Sequence, residues 1–432
     1  MIDDSKLFKH QGNEGHEDVM PKAPESIEET GLKQDFIEEL ILKFLYYKGT
    51  LSGSELENSI KLPYFGVLDK SLKELRNLTL VDVKRGISII EMQWEFTLTS
   101  KGVERAKEAL ERNGYVGPAP VPLHTYFDVY KKYSKIIPLK KEKVKESLHH
   151  LIFDEDTLRK VGIGFLSSKS VFLYGEPGNG KTSLVEAISK VMEGYVLVPY
   201  AIEVSGQIIR FYDPMHHKEI DIGQEDRYDK RWIPIKRPFV EVGGELRLEN
   251  LELAFNPETN EYLAPLQMKA NGGIMLVDDF GRQQVKPEDL LNRWIVPLEK
   301  EVDYYNLRTG EQIAFPFLAK VVFSTNLTVS DLVDEAFLRR IPFKIHIKNP
   351  TRDLFIKIFK MYCEMFEIEF DEAKLNDFID KHYKHRPMRG SHARDLLFYI
   401  KSLAYYLDTE PTLDYLDEAA RNLFAEEEEL GT

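Results

Sequence analysis

The chain has 432 residues, 43% hydrophobic and 30% charged, with a formal net charge of −14. That is the composition of an ordinary globular protein of about three domains, and the charge argues against a strongly basic surface for duplex DNA, although a local patch survives such an average. Cys363 is the only cysteine, no apolar run reaches the ~18 residues of a bilayer span, and the N-terminus lacks a signal-peptide core, so a cytoplasmic protein with no disulfide and no membrane insertion is expected.

Residues 1–33 are polar, charged and poor in large apolar side chains, and read as a disordered tail. From Asp35 the pattern turns helical, with Phe36, Leu40, Ile41, Phe44 and Leu45 on one face. Ser52 or Ser54 can cap a second short helix, and a third is expected from about Pro63 to Leu75 with Leu68, Leu72 and Leu75 inward. Two strand-like runs, Leu80–Lys84 and Trp94–Leu98, are joined through the Arg85-Gly86 turn region, and Ser100 opens a charged helix to about Arg112. Helix, helix, helix, hairpin, helix is the order of a winged helix-turn-helix domain, placed at 34–115. Pro118, Pro120 and Pro122 predict a stiff, extended linker, which with a helix through Tyr126–Lys135 fills 116–146.

Strands and helices alternate over 147–348, the signature of a parallel sheet covered on both faces. Gly175-Glu176-Pro177-Gly178-Asn179-Gly180-Lys181-Thr182 matches G-x-x-x-x-G-K-[ST] between a strand-like run, Ser170–Tyr174, and a helix opening at Ser183. Glycines there let successive N–H groups turn toward a phosphate chain, and the helix N-terminus adds partial positive charge. Lys181 would reach the β- and γ-phosphates of a nucleotide and the Thr182 hydroxyl would ligate Mg²⁺. After Asn349-Pro350 the pattern is all-helical over 349–425, and Glu426–Glu429 lies in an acidic tail, 426–432.

Gly273–Phe280 is a buried-strand run ending in two adjacent carboxylates. Asp278 suits Mg²⁺, and Asp279, expected on the other side of the pleat, suits the orientation of an attacking water. Val321–Thr325 is another buried strand, followed by Asn326, which could hold that water or sense the γ-phosphate. Glu335–Ile341 places Arg339 and Arg340 at a helix end, where helix-dipole compensation is the plainer reading. Gly390–Asp395 begins a helix that carries Arg394 near its start, where the dipole disfavours a cation.

This ordered set resembles the AAA+ ATPase superfamily over about residues 147–424: Walker A, Walker B, sensor 1, arginine finger and sensor 2. The resemblance implies a P-loop αβα sandwich with a C-terminal helical lid, in a ring that is usually a hexamer, hydrolysing ATP with Mg²⁺. By position, Gly175 through Ser183 would bind the nucleotide, Thr182 and Asp278 the metal, and Asp279 would complete Walker B. Asn326 would be sensor 1, Arg394 sensor 2, and Arg340, rather than Arg339, the finger. The usual Walker B pair is Asp-Glu; here Asp279 is one methylene shorter.

Leu290–Trp294 as a helix, then Glu301–Tyr305, a turn at Arg308-Thr309-Gly310 and Glu311–Phe315, looks like the pre-sensor-1 hairpin of MoxR-type, magnesium-chelatase and MCM ATPases. Leu253–Phe255 and Glu261–Leu263 flank a turn at Asn256-Pro257, so an inserted hairpin is expected. Phe255 and Tyr262 would touch a threaded client if it faced a pore; local packing is the plainer alternative.

The client reads as a protein, remodelled in a chaperone-like way with the winged helix as adaptor. The alternative is a DNA-associated motor, loader or transcription regulator that holds duplex through Lys61, Lys70, Lys73 and Arg76 and through Lys84 and Arg85 at the wing. A nucleotide switch that does not hydrolyse is a third reading, because of Asp279. His216-His217 and the group His382, His385 and His392 lack a full metal-ligand set.

Overall fold

The computed structural model describes residues 20–85, 90–133, 141–148, 151–167, 169–223, 227–327 and 339–424. The expectations for residues 1–19, Gly86, Glu335–Leu338 and the 426–432 tail lie outside them.

A five-stranded parallel sheet forms the centre of the 147–348 region. Its order is Phe239–Val242, Ile274–Val277, Lys320–Thr325, Val171–Tyr174, Phe343–His346. The strand leading into the P-loop is thus separated from the strand leading into Asp278 by the one that leads into Asn326. Alternation along the strands divides their side chains between two cores. Phe172, Met275, Val277, Val321 and Phe323 pack with Leu290, Leu291 and Trp294 of the Pro287–Lys300 helix. Val171, Leu173, Ile274, Leu276, Val322 and Ile345 pack with Val161, Phe165, Leu184 and Ile188, from helices Glu155–Leu166 and Lys181–Lys190. Both faces are covered, which is why these strands read as continuous apolar runs rather than alternating ones.

In the N-terminal part, helices Gln34–Lys48, Gly53–Ile60, Asp69–Asn77 and Ser100–Arg112 surround a three-stranded antiparallel sheet ordered Thr50–Ser52, Glu95–Leu98, Val81–Arg85. Ser52 caps the second helix reciprocally: its Oγ accepts from Glu55 N at 3.2 Å and its N–H donates to Glu55 Oε2 at 2.7 Å. The third helical stretch opens near Pro63 as expected, with a π-helical turn at Tyr64–Leu68 that kinks at Phe65 and Gly66 before the regular Asp69–Asn77 helix. Gly66 has φ +84 and breaks the chain direction, and a Cβ there would run into the Glu25 carbonyl.

That contact belongs to a segment expected to be a disordered tail. Residues 20–33 instead pack: Met20, Ile27, Thr30 and Leu32 are buried. The Pro-rich linker is likewise no spacer. Val121–Pro122 pairs in parallel with Ala201–Val204 at the edge of a second five-stranded sheet, and Tyr115 and Ala119 are buried with Ala201 and Ile208. Arg231, 2% exposed, ties these segments together. It pairs with Asp229 at 2.8 Å and donates from Nη1 to the carbonyls of Thr30 at 2.9 Å and Pro120 at 3.2 Å. A buried guanidinium needs such a full set of acceptors, which isolated polar-tail composition does not reveal.

The second sheet runs Ala254–Asn256, Glu261–Leu263, Gln207–Arg210, Ala201–Val204, Val121–Pro122. The inserted hairpin therefore exists, with Ala254–Asn256 antiparallel to Glu261–Leu263. Of the two readings of its aromatics, local packing holds for Tyr262, which is 2% exposed and out of reach of a client. Phe255 packs edge-on against it at 5.0 Å and lies under the Arg308 guanidinium at 4.2 Å. Beside this sheet, Tyr126 packs among Phe211, Trp232 and Phe315. Val302–Asn306 and Gln312–Pro316 form the second expected hairpin.

Helices Arg352–Phe366, Glu372–His382, Gly390–Leu407 and Leu416–Leu423 close on a core that includes Phe355, Phe359, Leu375, Leu396, Leu397, Ile400 and Phe424. Among the described residues, no helix is long and apolar enough to cross a membrane.

Candidate nucleotide-binding site

The P-loop emerges at the carboxyl end of Val171–Tyr174, and its backbone is held where side chains are excluded. Gly175, Gly178 and Gly180 have φ of +142, +77 and +76. A Cβ on Gly175 would run into the Ile347 carbonyl, and one on Gly178 into Ser391 Oγ. Gly180 then caps the Lys181–Lys190 helix, whose first N–H groups face the loop.

Lys181 is 7% exposed and its ammonium is fully engaged. Nζ donates to the Gly175 and Glu176 carbonyls, each at 2.9 Å, and to Asn326 Oδ1 at 2.6 Å. Burial lowers its pKa, and the nearby Asp278, Asp279 and Glu176 carboxylates oppose that shift. Asn326 Nδ2 in turn donates to Asp279 Oδ1 at 3.0 Å. With an ammonium on one side and a carboxylate on the other, only this orientation of the carboxamide satisfies both neighbours.

Thr182 Oγ1 donates to Asp278 Oδ2 at 2.6 Å. The strand ends at Val277, and Asp279, with φ +47, lies on the turn beyond it, so turn geometry and not the pleat separates the two carboxylates. That turn is tied to the neighbouring strand end. Phe280 N donates to the Ser324 carbonyl and Thr325 Oγ1 to the Phe280 carbonyl, both at 2.7 Å. Gln283 Nε2 adds bonds to the Asp278 and Asp279 carbonyls at 2.9 and 3.2 Å. Sequence reasoning missed Gln283, because a side chain that braces a turn carries no motif.

A hydroxyl and a carboxylate in contact are hard oxygen donors that suit Mg²⁺, an ion that keeps several waters and takes further ligands from phosphates. Among the described residues, no group of three or more His, Cys, Asp or Glu could hold a metal by itself. His217 is accounted for by packing: Nδ1 accepts from Asp213 N at 3.1 Å and Nε2 meets the Lys269 carbonyl at 3.0 Å.

The cleft around these groups encloses about 320 Å³ and is lined by residues 177–183, Asp278, Asp279 and Asn326. Its other wall is apolar, from Leu151, Ile152 and Phe153 on one side and Ile358, Met361 and Tyr362 on the other. Leu151–Phe153 precede the Glu155–Leu166 helix and Ile358, Met361 and Tyr362 lie on the Arg352–Phe366 helix, and no motif marks either set. Arg394 also lines the cleft, more than half exposed, with Asp395 Oδ1 at 2.8 Å from Nη2. Arg340 does not line it; its Nε pairs with Glu299 Oε1 at 2.5 Å, on the Pro287–Lys300 helix.

Comparison with known proteins adds little at this distance. Residues 351–422 match a family described as "Domain of unknown function (DUF8689)". No curated protein matches the chain. Among solved structures, NtrX from Brucella abortus in complex with ADP is 14% identical, with a TM-score of 0.38, covering 71% of this chain and 62% of its own. The RuvB Holliday junction branch migration motor of Thermotoga maritima is 12% identical, with a TM-score of 0.37, covering 63% of this chain and 70% of its own. Likenesses at these scores bear no weight for function, which rests on the geometry above.

Proposed function

We propose that the chain is a Mg²⁺-dependent ATPase of the AAA+ type that works as a homo-oligomeric ring and remodels a protein client. One observation carries the reading: Asn326, at the end of the strand beside the P-loop strand, bridges Lys181 to Asp279, while Thr182 meets Asp278. A phosphate-binding cation, a metal-binding pair and a carboxylate suited to a water are thereby assembled at one end of one sheet. That is the equipment for phosphoryl transfer to water, which needs positioning and charge stabilisation more than covalent chemistry.

In this mechanism the P-loop N–H groups and Lys181 would hold the triphosphate, and Thr182 and Asp278 would hold Mg²⁺, which would supply charge neutralisation for the phosphates. Asp279 accepts a proton from, or orients, the attacking water, and Asn326 fixes that carboxylate. Arg394 approaches from the helical lid. Arg340, turned away from its own cleft, serves as the finger for a neighbouring copy. The 34–115 part is read as a winged helix and the Val302–Asn306/Gln312–Pro316 hairpin as the pre-sensor-1 element.

A second reading is favoured by one surface. Lys70, Lys73 and Arg76 are all exposed on the Asp69–Asn77 helix, at spacings that share a face. That face suits contact with nucleic-acid phosphates. ATP turnover measured with Mg²⁺ or EDTA, with and without duplex DNA, at two salt concentrations separates the readings. Turnover that needs Mg²⁺ and ignores DNA supports the protein remodeller, stimulation by DNA that falls with salt supports the second reading, and absence of any ATP binding defeats both.

A further inference from the structure

Asn179 occupies a position that the P-loop pattern leaves open, since only the flanking glycines, the lysine and the hydroxyl residue are specified. Its side chain is nevertheless 7% exposed and uses both ends of its carboxamide. Oδ1 accepts from Gly390 N at 3.1 Å, and Nδ2 donates to Asn349 Oδ1 at 2.6 Å. Gly390 is the first residue of the helix that carries Arg394. Asn349 lies between the end of the last sheet strand, His346, and Thr351, which caps the first helix of the helical unit. One P-loop side chain therefore holds both the entry of the helical unit and the start of its cleft-facing helix.

The neighbouring contacts reinforce that seat. Ser391 N donates to the Gly178 carbonyl at 2.8 Å, and Arg389 Nη2 lies 3.4 Å from Glu176 Oε2. The first N–H groups of the Gly390–Leu407 helix, which lack partners inside the helix, are thus spent on the P-loop. Arg394 sits four residues further along, about 6 Å on at helical rise. Any tilt at Gly390 displaces the guanidinium relative to the phosphate positions.

We propose that Asn179, braced by Asn349, is a positioning residue that sets the angle of the helical unit on the P-loop and so aims Arg394 at the phosphoryl group being transferred. This rests on the ATPase reading above. The Asn179 carboxamide is engaged by Gly390 N and Asn349 Oδ1, so the contact acts on how the cleft is closed more than on how tightly nucleotide is held.

The test uses Asn349, which is outside the cleft lining. Asn349→Ala removes the acceptor for Asn179 Nδ2, whereas Asn349→Asp keeps one. The first readout is amide exchange over residues 389–394 in nucleotide-free full-length protein. Exchange should rise roughly three- to tenfold in Asn349→Ala, the size expected for one lost hydrogen bond, and stay near the parent value in Asn349→Asp. The second readout is steady-state ATP turnover. Asn349→Ala should lower kcat about tenfold with KM within about twofold, a positional loss rather than a binding loss, and Asn349→Asp should restore kcat. Unchanged exchange in Asn349→Ala overturns the proposal. So does an equal loss of kcat in the Ala and Asp variants, or a loss that appears only in KM. If the parent protein neither binds nor hydrolyses ATP, the ATPase reading fails, and with it the aiming of Arg394; exchange then still decides whether Asn179 seats the helical unit.

Discussion

Thr182 Oγ1 and Asp278 Oδ2 lie 2.6 Å apart, although the two residues are carried by elements that are not neighbours in the sheet. The Lys320–Thr325 strand separates them, and Asn326 at its end contacts both Lys181 and Asp279. The P-loop side and the acid side of the cleft are therefore joined through hydrogen bonds rather than adjacency. In Asp278→Asn, the contact with Thr182 can persist while the charge is lost. Turnover should then require roughly tenfold or more Mg²⁺ to reach half its maximum. Identical Mg²⁺ titrations for parent and variant would count against Asp278 as a metal ligand.

Lys181→Ala removes a cation already held in place by three acceptors. The expected loss in ATP affinity is about 100-fold or more, as for a charge-assisted contact of ~3 kcal/mol. Calorimetric titration with ATP checks it, and unaltered affinity refutes the phosphate role.

Asp279→Asn should keep ATP bound and slow turnover by roughly 10²–10³, the range of a lost general base. Its side chain would still accept from Asn326 Nδ2, so the change isolates charge from shape. Single-turnover hydrolysis at the parent rate would remove Asp279 from the mechanism.

Arg340 pairs with Glu299 of its own chain and stays outside its own cleft. If it acts on a neighbour, Arg340→Ala and Lys181→Ala proteins, each inactive alone, should recover part of the parent turnover when mixed. Activity that stays at background across all mixing ratios would exclude a finger acting between copies.

Burial pushes the His217 imidazole down to about 4 from its ordinary 6.5, with the Lys269 carbonyl and Asp213 opposing the shift. The unfolded chain therefore takes up this proton first as pH falls. The stability associated with neutral His217 is complete above pH 6.5 and is lost on acidification toward pH 4, by about 3 kcal/mol. Urea unfolding at pH 7.5 and 4.5 should show His217→Gln losing about 2–3 kcal/mol less than the parent over that interval. Equal losses would show that His217 is protonated in the native state.

The parts of the site legible in the sequence were those where local rules act alone. Val171–Tyr174, Ile274–Val277 and Lys320–Thr325 were visible because strands buried on both faces leave uninterrupted apolar runs, and Gly175–Thr182 because it carries a motif of fixed spacing. Ser52 was visible as a cap because capping is decided within one turn. Asn179, Asn349 and Gln283 were not, since each makes its contacts through loops that only tertiary structure brings together. Met20, Ile27 and Leu32 were too sparse to show a period, so a buried strap read as a solvated tail. Local packing was the plainer reading of Tyr262 and holds, but the sheet that its hairpin joins at Gln207–Arg210 is assembled only by tertiary structure.

Arg231 gathers Thr30, Pro120 and Asp229 around one guanidinium, with no slack in its acceptors. The N-terminal helices are consequently welded to the body and not leashed to it. A load applied there would be delivered as leverage on the sheet that includes Val121–Pro122, and trimming the chain at residue 33 would pull out a keystone.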